Sequence, residues 1–273
     1  MSAGEPVCFI DAGHTVVTIT VLAAADTQQW QIDVPRDAAH AMADTVGLLA
    51  GGARSAALDR LLFSAAKTAR LATMAGVVLL SRSWVQPLLY TYMTRWLRAA
   101  LPESTAVSVL PRACYATRCA GVRSALVVQC DDGVLRSVPV LDGVVADELD
   151  VVWGDVQRLT SPTSPCLRDW FCRAGAGVCA LLRQPAQEAL SPPPPPPRTP
   201  DKTSPTSAAL DLLCAADLLS AVEEQVAACR KRELRACLAT IVLCGTAAAT
   251  PSVRSCVAVL LSEQLPSSVL TWV

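Results

Sequence analysis

The plainest hydrophobic pattern in the chain lies in Ser124–Leu141, which reads SALVVQCDDGVLRSVPVL. Ala125 to Val128 is an apolar run with no polar face, Asp131-Asp132-Gly133 is a tight turn, and Val134, Arg136 and Val138 then alternate with Leu135, Ser137 and Pro139. Asp-Gly between two β-prone runs predicts a hairpin. The first run, apolar on both faces, predicts a strand in the middle of a sheet. The pattern recurs at the start, where Val7–Asp11 is an apolar strand, Ala12–Thr15 a small-residue turn and Val16–Leu22 a second strand. Two hairpins of one design predict a duplicated α/β domain. They are expected in two different sheets of similar topology, with both turns at one cleft and their N–H groups turned inward, as in phosphate cradles.

Between the hairpins, Gln29–Val34 predicts a third strand. The Ala-rich Asp37–Arg70, interrupted by Gly47, Gly51 and Gly52, predicts short helices. Val77–Leu80 is a short strand. Ser83–Leu101 places Trp84, Leu88, Leu89, Tyr92, Met93, Trp96 and Leu97 at helical spacing, with Ser83 as cap, Pro87 in the first turn and Pro102 as terminator. Val107–Leu110 predicts a strand and Pro111–Ala116 a short helix, so this stretch is a βαβ crossover that requires a parallel sheet. Further on, Asp147–Leu190, with Trp153, Leu159, Trp170 and Phe171, is expected to be helical. Six prolines at Pro192–Pro197 make 191–207 a disordered or polyproline insertion with a solvent-exposed linker role. Leu210–Cys229 predicts a helix, Ala239–Cys244 a strand, Ser252–Leu265 an amphipathic helix and Val269–Val273 a last strand.

Composition narrows the function classes. With 273 residues there is enough chain for a sizeable core, and a net charge of −1 gives no electrostatic case for nucleic acid or an anionic membrane. Mean hydropathy is +0.38, yet the longest uncharged stretch, Ala236–Val253, holds Gly245 and Pro251 and suits a buried strand better than a membrane span. No basic leader or long apolar segment opens the chain, so no signal peptide is expected. The twelve cysteines are scattered without a CxxC pair or a Cys/His cluster and read as buried free thiols, not metal ligands. Basic residues are nearly all arginine, with Lys only at 67, 202 and 231.

On these residues the chain resembles the actin family. Ile10-Asp11-Ala12-Gly13 falls at the family's first phosphate loop and Asp131-Asp132-Gly133 at its second. Val138–Gly143 resembles the continuation of the second loop. Cys229–Leu238 and Ile241-Val242-Leu243-Cys244-Gly245-Thr246 resemble the later stretch and the adenosine motif, with Pro251 where the next helix begins. The resemblance implies a duplicated ribonuclease-H-like (actin-like ATPase) α/β fold, shortened, with a cleft between two lobes. It implies a first lobe at 1–143, a reduced second-lobe segment at 144–190, the insertion at 191–207, and the rest of the second lobe at 208–273. It also implies ATP-binding positions at Asp11, Gly13, Asp132, Gly133 and Gly245, with Asp11 as the magnesium-associated carboxylate or, in a purely structural role, a turn residue bonding its own backbone.

The departures fall on the chemistry. Thr18 stands where the family has a phosphate-contacting Lys, and an arginine-rich codon bias does not explain losing the charge. His14 and Thr15 replace small residues, Gln129 replaces the carboxylate that organises metal and water, Asp131 adds an anion, and Thr246 replaces a Gly. A compensating cation from His14 or Arg136 is the competing possibility. The expected protein is therefore a degenerate, non-catalytic actin-related subunit with no cofactor or at best weak Mg-ATP, and with no catalytic residue or metal site. Its expected partners are subunits of a cytoskeletal, dynactin-type assembly, other actin-related proteins among the candidates, with a cytoplasmic location and no membrane span. The alternatives are a nuclear subunit of a chromatin-remodelling complex and an ATP-binding enzyme of the same fold group.

Overall fold

In the computed structural model the described residues are 5–13, 15–23, 26–43, 53–82, 87–131, 134–155, 220–245, 248, 254, 257–258, 261 and 264–273. They divide into two compact α/β units. The first comprises residues 1–121 and 143–147, the second 122–142 and 148–273.

The first unit holds β1 (Val7–Ala12), β2 (Val16–Leu22), β3 (Thr27–Asp33), α1 (Arg36–Ala43), α2 (Ala53–Thr68), β4 (Gly76–Ser81), α3 (Pro87–Ala100), β5 (Ala106–Pro111) and α4 (Arg112–Cys119). Its sheet has the order β3-β2-β1-β4-β5. β1, β2 and β3 form an antiparallel meander, while β4 lies parallel to β1 and β5 parallel to β4. One face of the sheet supplies Cys8, Ile10, Val17, Ile19, Val77 and Leu79. These pack with Leu58, Leu61 and Leu62 of α2 and Leu89, Met93 and Leu97 of α3, all buried. Each such side chain contributes about 1.5–3 kcal/mol by leaving water.

The second unit repeats the plan. It has β6 (Ala125–Asp131), β7 (Val134–Leu141), β9 (Val151–Asp155), a helix α5 over 220–231, β10 (Thr240–Cys244) and β11 (Val269–Trp272), while the short β8 (Val144–Val145) falls in the 143–147 segment grouped with the first unit. β6 and β7 are antiparallel, β9 adds antiparallel to β7, β10 is parallel to β6 and β11 parallel to β10. The sheet order is β11-β10-β6-β7-β8, with β9 also on β7. Hairpin, third antiparallel strand, crossover, parallel strand and second parallel strand thus occur twice. All seven residues of β6 are buried, because it lies between β7 and β10 with both faces covered, as its unbroken apolar pattern predicts.

Three expectations are corrected. The first is the boundary at 143, which put both hairpins in one lobe. The 122–142 hairpin belongs instead to the second unit, because β6 pairs with β10 far along the chain. The second concerns the Ala-rich region, which gives in α2 a 16-residue helix where short ones are expected; its Leu58, Leu61, Leu62 and Ala65 are buried on one face. The third concerns Trp153, which lies in strand β9 and not in a helix, since Val151-Val152-Trp153 is β-prone and finds a free edge on β7. The expectations for Ser83, Leu159, Trp170, Phe171 and the 191–207 insertion lie outside the described residues. No helix among the described residues is long and apolar enough to cross a membrane.

Candidate functional site

The first loop is built at the carboxyl end of three parallel strands. In register, Asp11 of β1 is level with Leu80 of β4, which is level with Leu110 of β5. Two residues beyond those leucines stand Arg82 and Arg112. Arg82 reaches Oδ1 of Asp11 through Nε and a terminal nitrogen, both at 3.0 Å, and Arg112 Nε lies 3.0 Å from Oδ2. Both carboxylate oxygens are therefore held by guanidinium groups. Asp11, Arg82 and Arg112 are 8%, 4% and 9% exposed, so the cluster is dry and its charges are weakly screened. Both arginines have further interactions beyond Asp11. The Arg82 backbone N–H donates to the Tyr90 hydroxyl at 2.9 Å, and burial pushes the Tyr90 phenol upward from its ordinary value.

Gly13 closes the loop inward. Its N–H donates to the Val16 carbonyl at 3.0 Å and so belongs to the hairpin. A Cβ at this position would lie 2.8 Å from that carbonyl and 3.1 Å from an Arg82 nitrogen. Glycine fits here because a Cβ would strike the Val16 carbonyl, with the Arg82 guanidinium the next neighbour. Thr18 is the cross-strand partner of Asp11 and supplies no charge.

In the second unit, Asp131 ends β6 and is 2% exposed. It sits against Gly245, whose φ of +112° is a conformation only glycine adopts easily. A Cβ on Gly245 would stand 2.5 Å from the Cys130 carbonyl and 2.7 Å from Asp131 Oδ1. Gly245 thus makes room for a carboxylate. Gln129, 2% exposed, is level with Arg136 on β7 and Cys244 on β10, and its Oε1 is buried without a partner among the described residues. Arg136, the candidate replacement cation, lies 3.7 Å from Asp150. Asp132, Gly133, Thr246 and His14 lie outside the described residues.

The structure brings Asp11 and Gly13 together in one unit, and Asp131 and Gly245 together in the other. It adds two residues that sequence reasoning missed, Arg82 and Arg112. A signal for them existed: each is the first charged residue after an uncharged parallel strand, and the carboxyl ends of parallel strands are where α/β sheets gather their functional side chains.

Among the described residues, Asp11 and Gly13 are engaged in ways that disfavour magnesium-ATP. At Asp11 each carboxylate oxygen already accepts from a guanidinium group, which leaves it less able to hold a metal-bound water. A phosphate needs N–H groups turned toward it, and the Gly13 N–H is spent within the hairpin. Among the described residues no group of three or more His, Cys, Asp or Glu side chains is arranged to hold a metal ion. The described cysteines are free thiols, all buried except Cys119.

No protein-family model and no curated protein matches the chain. Among solved structures it is similar to the ethanolamine utilization protein EutJ from Carboxydothermus hydrogenoformans. The match has 9% identity and a TM-score of 0.44, and spans 98% of this chain and 84% of that one. A likeness of this degree concerns fold alone, and nothing functional follows from it.

Proposed function

We propose that this protein is a non-catalytic member of the actin-like fold group. In this reading it serves as a structural or capping subunit of a cytoskeletal, dynactin-type assembly in the cytoplasm, not as an ATPase. The observation that carries the reading is the occupation of both Asp11 oxygens by Arg82 and Arg112. The residue that in the resembling family would serve magnesium here holds two buried cations in place. The same residues that would make a nucleotide loop are reused as packing, which supports a role played by the surface and not by the loops. The order of the actin-like motifs along the chain supports membership of that family.

Isothermal titration with magnesium-ATP tests the loss of nucleotide binding, and phosphate release under the same conditions tests turnover. The expected result is no measurable heat of binding and no phosphate above the buffer rate. Saturable binding at low-micromolar concentration would overturn the reading. Sedimentation across salt and nucleotide conditions should give no filaments, since a capping role requires that copies do not add to one another.

A further inference from the structure

One side of the first unit carries a groove of about 380 Å3, lined by Tyr90, Thr91, Thr94, Arg95, Arg98 and Val109. It runs between α3 and β5. β5 closes the sheet order on that side, so among the described residues no strand takes up its outer N–H and C=O groups. Sheet edges are ordinarily protected by lysine, proline, bulges or inward charge. β5 reads Ala-Val-Ser-Val-Leu-Pro. It carries no charge, pairs with β4 residue for residue without a bulge, and has its proline only at the last position. Val109 is 43% exposed on it. The opposite edge, β3, is by contrast TQQWQID, with polar side chains exposed along its length.

The groove also has a sign. Arg95 and Arg98 are exposed on α3, and neither has an acidic partner among the described residues. Thr94 Oγ1 beside them is buried without a hydrogen-bond partner.

We propose that the β5 edge receives an extended acidic peptide from a partner protein as an added strand, with carboxylates at alternate positions meeting Arg95 and Arg98. Side chains two apart on a strand repeat at roughly 6.6 Å, and residues three apart on a helix stand roughly 5–6 Å apart at Cβ. Flexible arginines cover the difference. Main-chain pairing with β5 supplies affinity, an apolar side chain covers Val109, and the two guanidinium groups select for acidic sequence. A small anion would engage the arginines and leave the edge strand open, which is why the edge argues for a peptide. This inference does not depend on the state of the nucleotide loops.

Fluorescence anisotropy on the full-length protein tests it, with a short labelled peptide alternating glutamate with valine and threonine. The expected result is saturable binding that weakens about tenfold or more in Arg95→Ala/Arg98→Ala and in Val109→Lys. The same loss is expected when alternate peptide amides are N-methylated, and no binding when lysine replaces glutamate. Both arginines are exposed, so the thermal midpoint of the double variant should stay within a degree or two of the parent, roughly the size of a surface substitution. Absence of binding would overturn the proposal, as would indifference to the arginine substitutions. Equal affinity for the N-methylated peptide would also overturn it, by reducing the interaction to charge alone.

Discussion

Asp11 is the residue whose meaning changes most between chain and fold. A carboxylate with both oxygens on buried guanidinium groups holds those groups in place, and its removal takes one partner from each of two buried cations. Breaking a buried ion pair from one side costs about 3–5 kcal/mol. Asp11→Asn should therefore lower unfolding free energy by about that amount, read from urea denaturation, while leaving nucleotide titration as flat as in the parent. A catalytic or metal-holding Asp11 would give the opposite split, with little change in stability and a large change in binding. Gly245 gives a second residue-scale test. Its φ of +112° and the Cys130 carbonyl 2.5 Å from a built Cβ leave no room for a side chain. Gly245→Ala should cost at least about 1–3 kcal/mol from backbone strain, with the clash added.

At the scale of elements, the second unit is tied together by one amide. Gln225 of α5 is 1% exposed. Its Nε2 donates to the Leu149 carbonyl at 2.7 Å and the Ser137 carbonyl at 3.2 Å, and its Oε1 accepts from Trp153 Nε1 at 2.9 Å and from the Ser137 hydroxyl. Helix, β7 and β9 meet at this side chain. The geometry depends on a bulge. Leu135 pairs with Gly154 and Arg136 with Val152, so Trp153 is the extra residue between them, and a bulge re-aims the side chain it carries. Gln225→Leu would strand the indole N–H, the Ser137 hydroxyl and two carbonyls. With each unmet buried group worth about 1–3 kcal/mol, the loss should be at least about 2 kcal/mol even after partial relaxation. Guanidinium denaturation followed by tryptophan fluorescence would measure it, and an unchanged midpoint would mean that water replaces the amide.

The whole molecule has an alkaline limit written into its core. Burial pushes the Cys8 thiol from its ordinary 9.0 up to about 12, and the Cys229 and Cys237 thiols up to about 11. Tyr92 is pushed up to about 12, first by burial and then by its hydrogen bond to Asp59. The sign follows directly. These groups are neutral when protonated, and the folded state holds the proton more tightly than the unfolded chain does. Their contribution is complete below the ordinary values near 9 and 10 and is lost as pH rises toward 11–12. Under reducing conditions the urea midpoint should stay level from neutral pH to about 9 and then fall steadily. Cys8→Val should make that fall shallower. A midpoint that does not move up to pH 11 would contradict the packing described for β1.

The sequence by itself determined the parts of this protein that local pattern can encode. The two hairpins, the central position of β6, the βαβ crossover through α3 and β5, and strand β10 all follow from periods of two and of 3.6 within short windows. In those windows the side chains that decide the element are the ones that define it. What only the tertiary structure decided is which distant residues come to stand together. Arg82 meets Asp11 across 71 positions because parallel pairing sets their level in the sheet. Trp153 meets Gln225 across 72 positions because a bulge turns it over. The second hairpin joins the far end of the chain because β10 completes its ladder. Sheet register converts sequence distance into contact, and no short window contains it. The chain therefore shows its hairpin turns in its order of residues, while the arginine partners gathered around Asp11 are legible only in the fold.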